Sequence, residues 1–152
     1  MPSITPFLWF DADLAEPIAF YTSIFPDAAS PAPGTVGDGP VYTATIELCG
    51  QRLMLLNGGP ALAGFTGAIS LFVGVETQAE VDDLWERLTA DGGEPGQCGW
   101  LKDRYGLSWQ IVPNVLGSLL GSADRARAQQ ATDAMLQMGK LDIAALQAAY
   151  DR

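Results

Sequence analysis

A cryptic internal repeat constrains this chain more than any other feature. Leu8, Phe20 and Tyr21 of the first half match Phe72, Leu84 and Trp85 of the second at a constant offset of 64 residues. The glycines that mark a hairpin turn in each half, Gly50 and Gly106, lie only 56 apart. An insertion peculiar to the first half, the Pro/Gly-rich stretch at residues 31–40, accounts for the difference, because loops change length at little cost. A chain of 152 residues patterned in this way is expected to form one domain from two similar halves.

Local patterning supplies the elements of each half. Residues 4–10 are apolar and aromatic, a strand that Pro6 places near an edge, and Asp11 and Asp13 are N-caps for a helix after it. Leu14, Ile18, Tyr21 and Phe25 mark one face of that helix, which ends before Pro26. Residues 41–48 alternate in polarity and residues 52–56 form a second strand across the turn at Gly50, so the pair predicts a hairpin. The second half begins with an apolar strand at residues 68–75, and Thr77 and Glu80 have the capping-box spacing that opens a helix. Val81, Leu84, Trp85 and Leu88 form its apolar face, and Asp91-Gly92-Gly93 stops it. Residues 99–102 and 107–112 flank a turn at residues 103–106 and predict another hairpin. Each half thus reads strand, helix, then two or three strands, and two such units side by side would enclose one cleft, the natural ligand site.

Beyond Pro113 the chain turns alanine-rich. Stripes at Ala131, Met135 and Met138, and at Ile143, Leu146 and Tyr150, predict two helices that dock on the body or on a second subunit. The expected organisation is one domain at residues 1–113, with modules at about 1–60 and 67–113, and a helical tail at 114–152.

Charge and composition then narrow the function. Eight Lys and Arg against eighteen Asp and Glu leave a net charge of −10, which repels phosphate backbones and anionic lipid headgroups, so no nucleic acid and no membrane is expected as a partner. Anionic substrates are disfavoured too, unless Arg52, Lys102 or Arg104 lines the pocket. The absence of histidine removes Ser-His-Asp and Cys-His nucleophilic catalysis and every metal site that needs imidazole. Two cysteines, Cys49 and Cys98, match neither a disulfide framework nor a zinc-ligand spacing, and the N-terminus has no basic and apolar leader pattern; a cytoplasmic protein is expected.

Several strings resemble a known family. They are Ile4-Thr5-Pro6-Phe7-Leu8-Trp9-Phe10-Asp11, Ala19-Phe20-Tyr21, Phe25-Pro26-Asp27, Leu56-Asn57-Gly58-Gly59-Pro60 and the long block at residues 96–113. Together they resemble the PhnB-like proteins of the vicinal oxygen chelate superfamily, which includes glyoxalase I, bleomycin resistance proteins and extradiol dioxygenases. The resemblance spans nearly the whole chain. It implies an α+β fold of paired βαβββ modules with C-terminal helices, and a homodimer, often with strands exchanged. Relatives often carry the label 3-demethylubiquinone-9 3-methyltransferase.

The superfamily usually sets four metal ligands on the inward faces of the first and last strands of each module. Its frequent pattern Asp-x-x-Gly-x-x-x-Glu appears here as Asp103-Arg104-Tyr105-Gly106-Leu107-Ser108-Trp109-Gln110, with Gln in place of Glu. The corresponding set is Thr5, Met54, Ser70 and Gln110, which offers neither carboxylate nor imidazole to a divalent transition metal. The expectation is therefore no metal and no cofactor, and a neutral pocket of hydroxyls, an amide and rings formed by Thr5, Phe7, Trp9, Met54, Ser70, Trp100 and Gln110.

Other candidates have simpler roles. Asp11, Asp13, Glu76 and Glu80 suit helix starts, Glu47 a solvated face and Asp103 a turn, while Cys98 suits packing better than thiol chemistry. The glycine cluster at residues 34–39 lacks the preceding strand and following helix of a nucleotide fingerprint. Two classes of function remain: a small-molecule-binding homodimer on a metal-less pocket, or an enzyme (lyase, isomerase or transferase) that uses a cleft carboxylate or a metal held by other ligands.

Overall fold

The computed structural model describes residues 1–29, 41–62 and 64–152, which fall into two compact units, Met1–Gly64 and Phe65–Arg152. The Pro/Gly-rich loop expected at residues 31–40, with its glycine cluster, lies outside the described residues.

The first unit contains strand β1 (Phe7–Phe10), helix α1 (Ala15–Ile24), and strands β2 (Thr43–Leu48) and β3 (Gln51–Asn57). They form a sheet in the order β1-β3-β2, with β1 parallel and β2 antiparallel to β3. The β2–β3 turn is Cys49-Gly50, with φ of 49° and 79°. Two positive φ angles are what a two-residue hairpin turn needs to match strand twist, and Cys49 adopts the one that glycine would take more readily. Alternation sends Leu8, Phe10, Ala44, Ile46, Leu48, Leu53 and Leu55 to one buried face. Helix α1 packs there through Tyr21, whose ring lies 6.4 Å from that of Phe10.

The second unit contains β4 (Ser70–Val75), α2 (Gln78–Thr89), β5 (Glu94–Pro95), β6 (Trp100–Lys102) and β7 (Ser108–Pro113), then α3 (Val115–Leu120), α4 (Arg125–Leu136) and α5 (Ile143–Tyr150). Its sheet order, β4-β7-β6-β5, repeats that of the first unit. Even β5 has a counterpart, because Ala29 and Glu47 exchange backbone bonds of 3.0 and 2.8 Å at the outer edge of β2. The capping box forms as the spacing predicts: the Glu80 N–H donates to the Thr77 hydroxyl, and the Glu80 carboxylate accepts from the Thr77 N–H. Val81, Leu84 and Leu88 of α2 are buried, as are Leu101, Trp109 and Ile111 of the sheet.

One detail of the repeat needs correction. The offset of 64 holds for the helices, where Pro17, Phe20, Tyr21 and Ile24 match Val81, Leu84, Trp85 and Leu88. In the sheets Met54 faces Phe7 while Gln110, at the same distance from its hairpin glycine, faces Phe72. Phe72 is therefore the counterpart of Phe7, not of Leu8, and the strand-to-helix connection of the first unit is one residue longer. A slip of one residue reverses the face: Leu8 is buried, whereas Phe72 is 62% exposed.

The tail contains three helices where periodicity predicts two. Leu116, Leu119, Ala131, Leu141 and Leu146 make a buried cluster, against which Val112 of β7 also packs. Backbone bonds of 2.8 Å from the Cys98 N–H to the Met138 carbonyl, and from the Gly99 N–H to the Gly139 carbonyl, fasten the tail to the sheet of its own unit. Gln78 of α2 completes the attachment, donating to the Leu141 carbonyl at 3.0 Å and accepting from the Ile143 N–H at 2.8 Å.

Candidate functional site

Each sheet has a second face, opposite its buried one, and the sequence-derived site residues fall there. In the first unit Phe7 and Met54 are direct neighbours across β1 and β3, 51% and 37% exposed. Trp9 lies on the same face and is half-buried, because its Nε1–H donates to the Gly59 carbonyl at 2.9 Å and its ring covers Gly58. A Cβ on Gly58 would overlap that ring. Thr5, half-buried, precedes β1.

In the second unit the register sets Trp100, Gln110 and Phe72 in a row across β6, β7 and β4. Neighbouring strands lie about 4.8 Å apart, so Gln110 occupies the register position between two aromatic residues on one face. Its Nε2 donates to the Ser70 hydroxyl at 2.9 Å. The structure therefore gathers Ser70, Trp100 and Gln110 of the predicted set on one face and adds Phe72, which the sequence analysis uses only as the repeat partner of Leu8. The signal that identifies Phe72 is parity: it lies two residues beyond Ser70 on the same strand.

Four of the carboxylate candidates, Asp13, Glu76, Glu80 and Asp103, are engaged in structure. Asp103 is buried in the β6–β7 turn and accepts from the Tyr105 N–H at 2.9 Å, the Leu107 N–H at 3.1 Å and the Trp109 Nε1–H at 2.9 Å. Asp13 accepts from the Ala15 N–H at 3.1 Å. Glu76 reaches the Asn114 amide at 2.5 Å, tying the entry to α2 to the start of α3. The Glu80 carboxyl is held below its ordinary value by the backbone N–H groups of Thr77 and Glu76. Burial, and then the nearby Asp27 carboxylate, push the Cys49 thiol up, away from the thiolate that nucleophilic chemistry needs.

The superfamily's metal does not fit these residues. The four positions carry two hydroxyls, a thioether and an amide, and the Gln110 amide already donates to the Ser70 hydroxyl. Among the described residues no three His, Cys, Asp or Glu side chains gather as a cation site. A cavity of about 320 Å³ between α4 and α5, with Ala134, Met138, Ala145 and Ala149 in its lining, includes none of the predicted residues.

Comparisons with known proteins agree with this architecture. The family described as 3-demethylubiquinone-9 3-methyltransferase matches residues 2–112. Among solved structures, the chain is similar to a PhnB protein from Bacillus cereus that bears the same methyltransferase name, at 30% identity and a TM-score of 0.65, covering 74% of this chain and 99% of that one. Protein PA1353 from Pseudomonas aeruginosa is 22% identical with a TM-score of 0.62, over 74% of this chain and 98% of that one. The fosfomycin resistance protein FosX from Listeria monocytogenes, solved with Mn(II) and sulfate, shares the fold at 18% identity and a TM-score of 0.57, over 79% of this chain and 95% of that one. No curated protein matches.

Proposed function

Because the chain belongs to the PhnB-like family described as 3-demethylubiquinone-9 3-methyltransferase, we propose that it binds a small organic molecule on the open sheet faces, without the superfamily's metal, as a cytoplasmic homodimer. The observation that carries this reading is the Ser70–Gln110 hydrogen bond at 2.9 Å, an amide–hydroxyl pair standing where a metal would need anionic or imidazole ligands. Phe7, Trp9 and Met54 on the first sheet, and Trp100 on the second, offer apolar and aromatic contact, each on its own face. Thr5 adds a hydroxyl before β1. Such groups orient a ligand by hydrogen bonding and stacking and supply no proton transfer near pH 7.

The modules at about 1–60 and 67–113 carry these faces, and the tail at 114–152 supports the second. The homodimer reading draws on large apolar side chains left exposed away from the ligand set, Tyr42, Leu62 and Ile69 among them. Sedimentation equilibrium checks it, with twice the chain mass expected. No helix among the described residues is long and apolar enough to cross a membrane, and the free thiols Cys49 and Cys98 suit a reducing compartment.

Metal analysis by mass spectrometry, on protein purified without affinity tag or chelator, tests the central point. The expected result is far less than one metal per chain, with a native mass scan carrying any retained organic ligand. A stoichiometric transition metal overturns the reading.

The family's description favours a second reading, methyl transfer. S-adenosylmethionine enzymes of the usual kind bind their cofactor at the carboxyl ends of a doubly wound parallel sheet, whereas both sheets here are mixed. Incubation with labelled S-adenosylmethionine and a catechol separates the two readings, because transfer of label establishes the enzyme.

A further inference from the structure

Resting on that binding reading, we propose that the open face of the β4-β7-β6 sheet takes a neutral, planar aromatic ring with a hydrogen-bond donor and acceptor side by side on its edge, as in an aromatic lactam.

The argument starts from Gln110. A carboxamide has two N–H donors and one carbonyl oxygen. One N–H is committed to the Ser70 hydroxyl, leaving a donor and an acceptor on the same planar group. Among the described residues no other side chain takes either of them. The Ser70 hydroxyl, accepting that bond, keeps its own proton to donate. With the hydrogen anti to the carbonyl given to Ser70, the N–H that remains lies beside the carbonyl oxygen, and a partner that satisfies both presents an acceptor beside a donor in one plane, as a lactam edge does.

The flanking residues define the rest of the ligand. Phe72 and Trp100 occupy the register positions on either side of Gln110. Phe72 is 62% exposed, a large apolar surface on a sheet face that a flat ring would cover. Val112, two residues beyond Gln110 along β7 on the same face, packs against the buried cluster of the tail, so the tail borders one flank of the row. Charge selects against anions. The chain carries −10, and the cation nearest in register, Lys102, is engaged by Glu94 at 3.9 Å.

Three probes of similar size separate the terms: 2-quinolone, a lactam; naphthalene, with the ring alone; and quinoline-2-carboxylate, an anion. Equilibrium dialysis with the full chain is expected to rank 2-quinolone first. Gln110→Ala should weaken 2-quinolone by about tenfold, the scale of one or two hydrogen bonds, and leave naphthalene unchanged. Phe72→Ala, at an exposed position that the core does not need, should weaken both. Equal affinity for 2-quinolone and naphthalene, or 2-quinolone binding indifferent to Gln110→Ala, overturns the lactam proposal and leaves the binding reading standing. Preference for the carboxylate overturns the charge argument and the proposal with it. Failure of all three to bind overturns the proposal, while the binding reading stands or falls separately on the metal analysis.

Discussion

At the scale of single residues, Asp103 takes the turn role that its place in the sequence suggests, and Trp9, a candidate binding residue, holds a loop as well. Asp103 opens the Asp-x-x-Gly pattern within the block that most resembles the family, and its carboxylate meets three donors in and beside the β6–β7 turn while being 2% exposed. Asp103→Ala leaves the buried Trp109 N–H and the turn's own N–H groups without their acceptor, an expected loss of about 3 kcal/mol. Urea denaturation should show a lower midpoint with an unchanged slope. Trp9 also holds a loop, covering Gly58 and donating to Gly59. Gly58→Ala forces that ring aside. The expected outcome is a red-shifted tryptophan emission and altered ligand affinity in a chain that still folds, checked by fluorescence and circular dichroism. Strand alternation made the side facing of Trp9 legible in the sequence. Its bond to a backbone carbonyl fifty residues away was not, because nothing local specifies such a pairing.

At the scale of elements, legibility tracked how local the determining interaction is. Helix α2 was readable from end to end, since Thr77, Glu80, the apolar spacing and Asp91-Gly92-Gly93 all lie within or beside it. Helix α3 was not. Its six residues contain Gly117 and show no side-chain cap bond, and burial of Leu116 and Leu119 in the tail cluster accounts for it. The junction of α2 with the tail yields a pH prediction. Asp82 accepts from Lys140 at 2.6 Å and from Gln78 at 3.1 Å, and these bonds, Lys140 first, hold its carboxyl below the ordinary value. A carboxylate whose folded value is depressed stabilises the fold above its unfolded value and loses that contribution as pH falls through the folded one. Asp82→Asn should therefore weaken the tail attachment at neutral pH, and the difference from the parent chain should vanish once the pH drops below the ordinary carboxylate range. Amide exchange at the start of α5, compared between the two chains across pH, provides the measurement.

At the scale of the whole molecule, the tail decides between two uses of its apolar stripes. The sequence left open whether they cover the body or a second subunit, because periodicity identifies an apolar face and not its partner. In the structure Ala131 and Leu146 are buried within the second unit, Met135, Met138 and Tyr150 pack on the same cluster, and the Tyr150 hydroxyl meets that of Ser122 at 2.7 Å. These stripes are occupied inside the chain, so they are not the surface on which a dimer would form. Leu141 is the side chain on which this closure turns: it is fully buried, it touches Gly99 beside β6, and Gln78 holds its carbonyl. Leu141→Ala removes buried methyl groups from a site fixed on three sides, with little room to collapse, and is expected to cost about 3 kcal/mol. The same substitution should leave the association constant of the proposed dimer unchanged, because the exposed apolar residues Tyr42, Leu62 and Ile69 are untouched. Thermal denaturation and sedimentation equilibrium on one variant read the two quantities separately. A lower melting temperature with intact association locates the tail's work within the chain, whereas a lower temperature with dissociation assigns the tail to the dimer and overturns this division of labour.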